Sequence, residues 1–262
     1  MSRPQWILAL SPHFSDPARL RPFLANPIVL TPAQLSGTAP MPVLAPGRPR
    51  VAFGTMHHMM ALLRHPVLGD AVLDRHVALR CSQYYRHVYP HLGQAMVLAP
   101  VAALGHLPLQ RMFGASVFVR PDGNNKPFEA EVLPTDPERV ADCARRLQHH
   151  SDRLIVLSEV IDPGTEYRCF VRRGRVFAHS SYPRQPHVPA PPAVTAFAEA
   201  VAADLAGTGM TMLTVDVSLS GERLRLVEVG GVNSWGLYGA REEDFVAGME
   251  AEARQAHDEL WG

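Results

Sequence analysis

The sequence predicts a mixed α/β protein of the α+β kind, and three observations predict it. Over the first hundred residues, short apolar runs alternate with stretches of helical apolar spacing. From residue 114 onward, strand signals bounded by Gly, Asn and Pro turns dominate, with few helical segments between them. Hydrophobic residues make up 47% of the 262, which is enough to bury a full core in one large domain or two small ones. The character change sets the expected division: a small N-terminal α/β domain over residues 1–110, serving substrate, and a second domain over 111–262.

Taken in order, residues 6–10 and 27–30 read as strands, and 31–49, rich in Pro, Gly and Thr, as loop. Residues 51–55 form a short strand ending at Gly54-Thr55. Helical spacing of Met56, Met59, Met60 and Leu63 follows, a stripe that fits core packing. Residues 81–92 are a helix to about Tyr89, whose tyrosines 84, 85 and 89 either pack or line a cleft. In the second half, 117–120 and 128–132 are strands about a Gly/Asn turn. The helix over 136–149 has Asp136 as N-cap and Pro137 at its first position. Strands follow at 154–160, 166–172 and 175–180. A Pro-rich loop over 183–192 precedes an Ala-rich helix ending near Gly207. Residues 211–218 and 223–229 make a hairpin around Ser220-Gly221. An acidic-faced helix over 242–260 closes the sequence.

Composition narrows the function. Formal net charge is zero, which argues against a nucleic-acid partner. No apolar run reaches the roughly 18 residues a membrane helix needs, so no membrane span is expected. There is no signal-peptide pattern. Three widely spaced cysteines suit reduced thiols, and the expected location is cytoplasmic. The histidine pairs lack zinc-site spacing. A Walker-type phosphate loop is absent.

One residue stands out. Lysine and arginine total 25, and Lys126 is the single lysine. Such usage implies a GC-rich coding sequence in which arginine serves wherever a generic positive charge will do. The lysine that remains marks a position where a compact ammonium is needed. It lies in Arg120-Pro121-Asp122-Gly123-Asn124-Asn125-Lys126, where two cations flank a turn and backbone N–H groups can converge on an anion. A second segment runs from Ser158 to Arg168. Exposed backbone at Val160 and Ile161 could pair with an adenine edge, Glu166 could accept from ribose hydroxyls, and Arg168 points to the same strand face as Glu166. The third segment places Asp216 and Glu228 on adjacent strands of the hairpin. Two carboxylates in an apolar sheet are costly unless something positive pairs with them. Magnesium bridging phosphates is one solution, with Asn233 available as an amide ligand. Read singly, each segment is an ordinary strand end with paired charges; order and type together point to a nucleotide site.

With these motifs in hand, the sequence resembles the ATP-grasp superfamily, and more narrowly its arginine-to-lysine clade. The resemblance covers residues 114–240 well, 50–113 loosely and 1–49 hardly. It implies two α+β halves clasping ATP. It implies that Arg120 and Lys126 bind phosphates, that Glu159, Val160 and Ile161 form the adenine strand, and that Glu166 meets the ribose. Arg168 would face an acyl-phosphate or substrate, with Lys126 and Asn233 also catalytic, and Asp216, Glu228 and Asn233 would hold Mg2+. Many relatives carry Asn two residues after the glutamate. Here that position is Gly230, which leaves the number of metal ions open. The implied activity is an ATP-dependent carboxylate–amine ligase working through an acyl-phosphate on small-molecule or peptide substrates. A small-molecule kinase and a non-catalytic nucleotide-binding module are the alternatives. A homodimer is left open.

Overall fold

The computed structural model describes residues 3–74, 79–182 and 188–261. In chain order these form β1 (Gln5–Ala9), α1 (Asp16–Leu20), β2 (Ile28–Leu30), α2 (Pro32–Leu35), β3 (Arg50–Phe53), α3 (Met56–Leu63), α4 (Cys81–Leu92), β4 (Met96–Pro100), α5 (Leu109–Phe113) and β5 (Ser116–Pro121). There follow β6 (Glu131–Pro134), α6 (Pro137–Arg146), β7 (Leu154–Ser158), β8 (Thr165–Arg172), β9 (Arg175–Ser181), α7 (Pro192–Asp204), β10 (Met212–Ser220), β11 (Arg223–Gly230) and α8 (Glu242–Trp261). The mixed α/β class predicted from sequence is the one observed.

Contacts divide the chain into two compact units. One comprises residues 1–78 with 165–262, and the other residues 79–164. The sequence division at residue 110 falls inside the second unit.

The first unit holds two sheets. A parallel sheet has the order β2-β1-β3, and an antiparallel sheet has the order β11-β10-β8-β9. Strand alternation sorts β1 between two cores: Trp6 and Leu8 join one cluster, Ile7 and Ala9 the other. The first cluster also gathers Phe53, Phe170 and Phe245, whose rings meet edge-on with centroids 5.1 to 5.3 Å apart. The Met stripe of α3 is core, as its spacing predicts: Met59 is fully buried and Met56 and Met60 pack beside it. Thr55 caps α3 by accepting from His58 N at 3.3 Å.

The second unit is a four-stranded antiparallel sheet, β4-β7-β5-β6, with a core of Val117, Val119, Ile155 and Leu157 beneath α6. Asp136 caps α6 through Arg139 N at 3.0 Å, with Pro137 opening the helix. Tyr84 and Tyr85 of α4 are buried, while Tyr89 is exposed. Two elements escape local pattern reading. β4 is a non-alternating run on a sheet edge that ends in Pro100, where a missing N–H is tolerated. α2 sits inside the presumed loop, closed by a Thr31–Gln34 capping box. The strand expected at 128–132 is shifted, to Glu131–Pro134. The Pro-rich loop expected at 183–192 lies partly outside the described residues.

Candidate active site

In the first unit the hairpin turns at Gly221-Glu222, with Ser220 paired to Arg223, and a bulge after Asp216 shifts the register by one residue so that Asp216 lies opposite Glu228. Both side chains are buried. β8 is the other neighbour of β10, and it brings Arg168 alongside. Arg168 Nε donates to Asp216 Oδ1 at 2.9 Å and Nη2 to Oδ2 at 2.7 Å, a two-pronged ion pair buried to 3% exposure on both sides. Nη1 donates to Gly236 O at 3.0 Å, and Nη2 also meets the Tyr182 hydroxyl. Three rings surround the guanidinium: Cζ lies 4.6 Å from the centroids of Trp235 and Tyr238 and 5.0 Å from that of Tyr182. The positive partner that two buried carboxylates require is thus supplied in part by the protein itself.

The charges leave their mark on neighbours. Burial raises the Glu166 carboxyl above the usual range, and Asp216 and Glu228 add to the rise while Arg168 opposes it. Burial and the Asp216 charge likewise push the Tyr182 hydroxyl up. For Arg168, burial works against the charge, and Asp216 more than offsets it.

Asn233 is fully buried, and its amide is engaged at both ends. Oδ1 accepts from Asp74 N at 2.9 Å and Nδ2 donates to Ala52 O at 2.6 Å, while its carbonyl accepts from Gly54 N at 3.0 Å. It ties the Gly-rich segment after β11 to the end of β3. For a metal, only the second lone pair of Oδ1 remains. Gly230, at the position where many relatives have Asn, is explained by packing. A Cβ there would overlap Cζ2 of Trp235. The space that a side chain would need holds the indole that stacks on Arg168.

In the second unit, Arg120 is half-buried near the end of β5 and Lys126 is exposed at the end of the turn. Lys126 has φ +40, a left-handed conformation rare for a residue with a Cβ. Its N–H donates to Gly123 O at 3.2 Å, closing the turn. Residues 159–161 follow β7. Glu159 exchanges hydrogen bonds with Ala95, accepting at its carboxylate from Ala95 N at 3.0 Å and donating its own N–H to Ala95 O at 3.0 Å. Val160 is 44% exposed beyond the ladder.

Of the site residues expected from sequence in one domain over 111–262, Glu166, Arg168, Asp216, Glu228 and Asn233 fall in the first unit, and Arg120, Lys126, Glu159, Val160 and Ile161 in the second. Sequence reasoning missed the ring set of Tyr182, Trp235 and Tyr238. A tryptophan and a tyrosine inside a Gly-rich segment were the available signal, since large rings there need something to pack on. Among the described residues, no group of three or more His, Cys, Asp or Glu side chains could hold a metal alone.

Comparison with solved structures places this architecture. Over 99% of this chain and all of the other, it matches D-alanine–D-alanine ligase from Bacillus anthracis at 10% identity with a TM-score of 0.61. The ATP-grasp ligase PsnB complexed with a minimal precursor matches over 96% and 100% of the two chains, at 12% identity and 0.62. D-cycloserine synthetase DcsG matches over 95% and 99%, at 12% and 0.63. The fold is therefore that of ATP-grasp ligases. A family model for the ATP-grasp domain, second family of the arginine-to-lysine clade, matches residues 91–247, more than half of the chain, and the chain belongs to that family. No curated protein sequence matches it. No helix among the described residues is long and apolar enough to cross a membrane.

Proposed function

We propose that this protein is an ADP-forming ATP-dependent ligase that joins a carboxylate to an amine through an acyl-phosphate. The observation that carries the reading is Asp216 facing Glu228 across β10 and β11, inside the family-matched region. The donors are hard oxygens, as magnesium prefers, and magnesium binds through one or two carboxylates completed by phosphates and water. Bound there, the metal would neutralise charge developing on the transferred phosphoryl group.

The chain's own residues take the remaining roles. Arg120 and Lys126 bind phosphates. The backbone at Glu159, Val160 and Ile161 receives the adenine edge, and Glu166 accepts from the ribose. Arg168 holds Asp216 in place on the side of the acyl-phosphate or substrate. Asn233 supplies at most one oxygen lone pair to the metal and otherwise anchors the Gly-rich segment. Residues 1–110 serve the substrate, a small molecule or peptide. Such a site works chiefly by positioning and electrostatics.

The test is a panel of amino acids, small acids and peptides, paired with amines and assayed for ATP consumption and for the nucleotide released. The reading expects ADP and phosphate, only when both substrates are present. AMP and pyrophosphate would overturn it, and a stable phosphorylated product without an amine would assign a kinase.

A further inference from the structure

We infer that Asp122, inside the cationic turn, is a positioning residue that holds Lys126 ready for phosphate. The inference rests on the reading of Lys126 given above and assigns the role of a residue that reading leaves out. A carboxylate four residues from a phosphate-binding lysine is at first sight misplaced, because its charge would repel the ligand. The structure ties that charge to a helix. Asp122 is 4% exposed, and its carboxylate closes on the first turn of α4: Oδ1 accepts from Ser82 N at 2.7 Å and Oδ2 from the Ser82 hydroxyl at 2.7 Å. The N-terminal N–H groups of a twelve-residue helix are where a carboxylate is best stabilised.

The backbone repeats the attachment. Cys81 N donates to Asp122 O at 2.8 Å and Asn124 N donates to Leu79 O at 3.0 Å, with a lone antiparallel bridge between Arg80 and Gly123. The start of the turn is therefore fixed to a helix at several points. Its end carries Lys126 at φ +40. A left-handed residue with a Cβ is strained and persists only where its surroundings over-determine it. Asp122 supplies that determination and gives the ammonium a fixed origin, while its own charge is absorbed by α4.

The experiment is calorimetric titration of the full chain with magnesium and a non-hydrolysable ATP analogue, in a cycle of Asp122→Ala and Lys126→Met. Asp122→Ala is expected to weaken binding roughly tenfold, within the range of coupled neighbours, and to add nothing in the Lys126→Met background. Asp122→Asn keeps an acceptor for Ser82 N–H and should restore most of the affinity. Should Asp122→Ala fail to fold, Ser82→Ala removes one bond of the latch and should show a smaller loss that likewise vanishes without Lys126. Equal losses in both backgrounds would reduce Asp122 to general stability and overturn the inference, as would unchanged affinity in Asp122→Ala. Unchanged affinity in Lys126→Met would instead overturn the reading of Lys126, and the inference with it.

Discussion

The Asp216 region and the Lys126 region carry opposite charges, and the chain fixes them by opposite means. Asp216 sits in regular, buried strands, and its charge is matched by Arg168 across a strand neighbour. Lys126 sits in an exposed, irregular turn whose start is tied to α4 through the Asp122 carboxylate. A charge inside an apolar sheet must be neutralised before any ligand arrives, so its partner becomes part of the fold. A charge at the surface meets little desolvation cost, so its problem is orientation, and local strain with a latch addresses that. The same substitution logic should therefore give opposite outcomes in the two regions.

The largest effect should come from breaking the buried pair. Asp216→Ala leaves Arg168 buried without its carboxylate, and urea unfolding should show a loss of ~3–5 kcal/mol. Two carboxylates facing each other without a partner would repel, and removing one would relieve that; the Arg168 pair makes the opposite outcome the expected one for Asp216. A loss below about 1 kcal/mol, typical of an exposed pair, would mean the pair does not hold the sheet.

Next comes Lys126→Met. Turnover should fall by a hundred- to a thousandfold, ~3–4 kcal/mol in the barrier, while the melting temperature stays where it was. Lys126→Arg should recover little, because the guanidinium displaces the point charge. A drop in stability without a drop in rate would invert the contrast between the two regions.

Much of this was legible in sequence, and the limits are physical. The hairpin of β10 and β11 was readable because alternating apolar residues flank a turn, which puts Asp216 and Glu228 on adjacent strands; the bulge after Asp216, which shifts the register by one residue and sets Glu228 opposite it, was not. The Arg168 partner was not readable: it lies 48 residues from Asp216, and the contact exists only because β8 is the neighbour of β10. Asn233 shows the same limit more sharply. Its side chain bonds Ala52 and Asp74, 181 and 159 residues away, ties that no local pattern around it could show. Asp122 was passed over because its partner, Ser82, is 40 residues distant. Local patterns give elements and nearby register; the pairing of distant polar groups follows from topology.

Smaller effects sharpen the account at its edges. Gly230→Ala drives a methyl into the Trp235 ring and should cost ~1–3 kcal/mol, the range for overpacking. A neutral outcome would free that position to accept the side chain seen in relatives. Glu166→Gln should be smallest and should depend on pH. The folded state holds the Glu166 proton more tightly than the unfolded chain does. Its contribution to stability is therefore fully present below the ordinary value of 4.5 and lost as pH rises through the higher folded value. Melting curves should show Glu166→Gln above wild type at neutral pH, with the gap closing in acid.

The proposal to test is that Lys126 binds nucleotide phosphate and that Asp216 and Glu228 hold magnesium. Its most direct test is calorimetric titration of wild type, Lys126→Met and Glu228→Gln with ATP, in the presence and absence of magnesium. Lys126→Met should weaken binding under both conditions, since it meets phosphate directly. Glu228→Gln should weaken binding only when magnesium is present. Loss of binding in Glu228→Gln without magnesium, or affinity unchanged in both variants, would contradict the account.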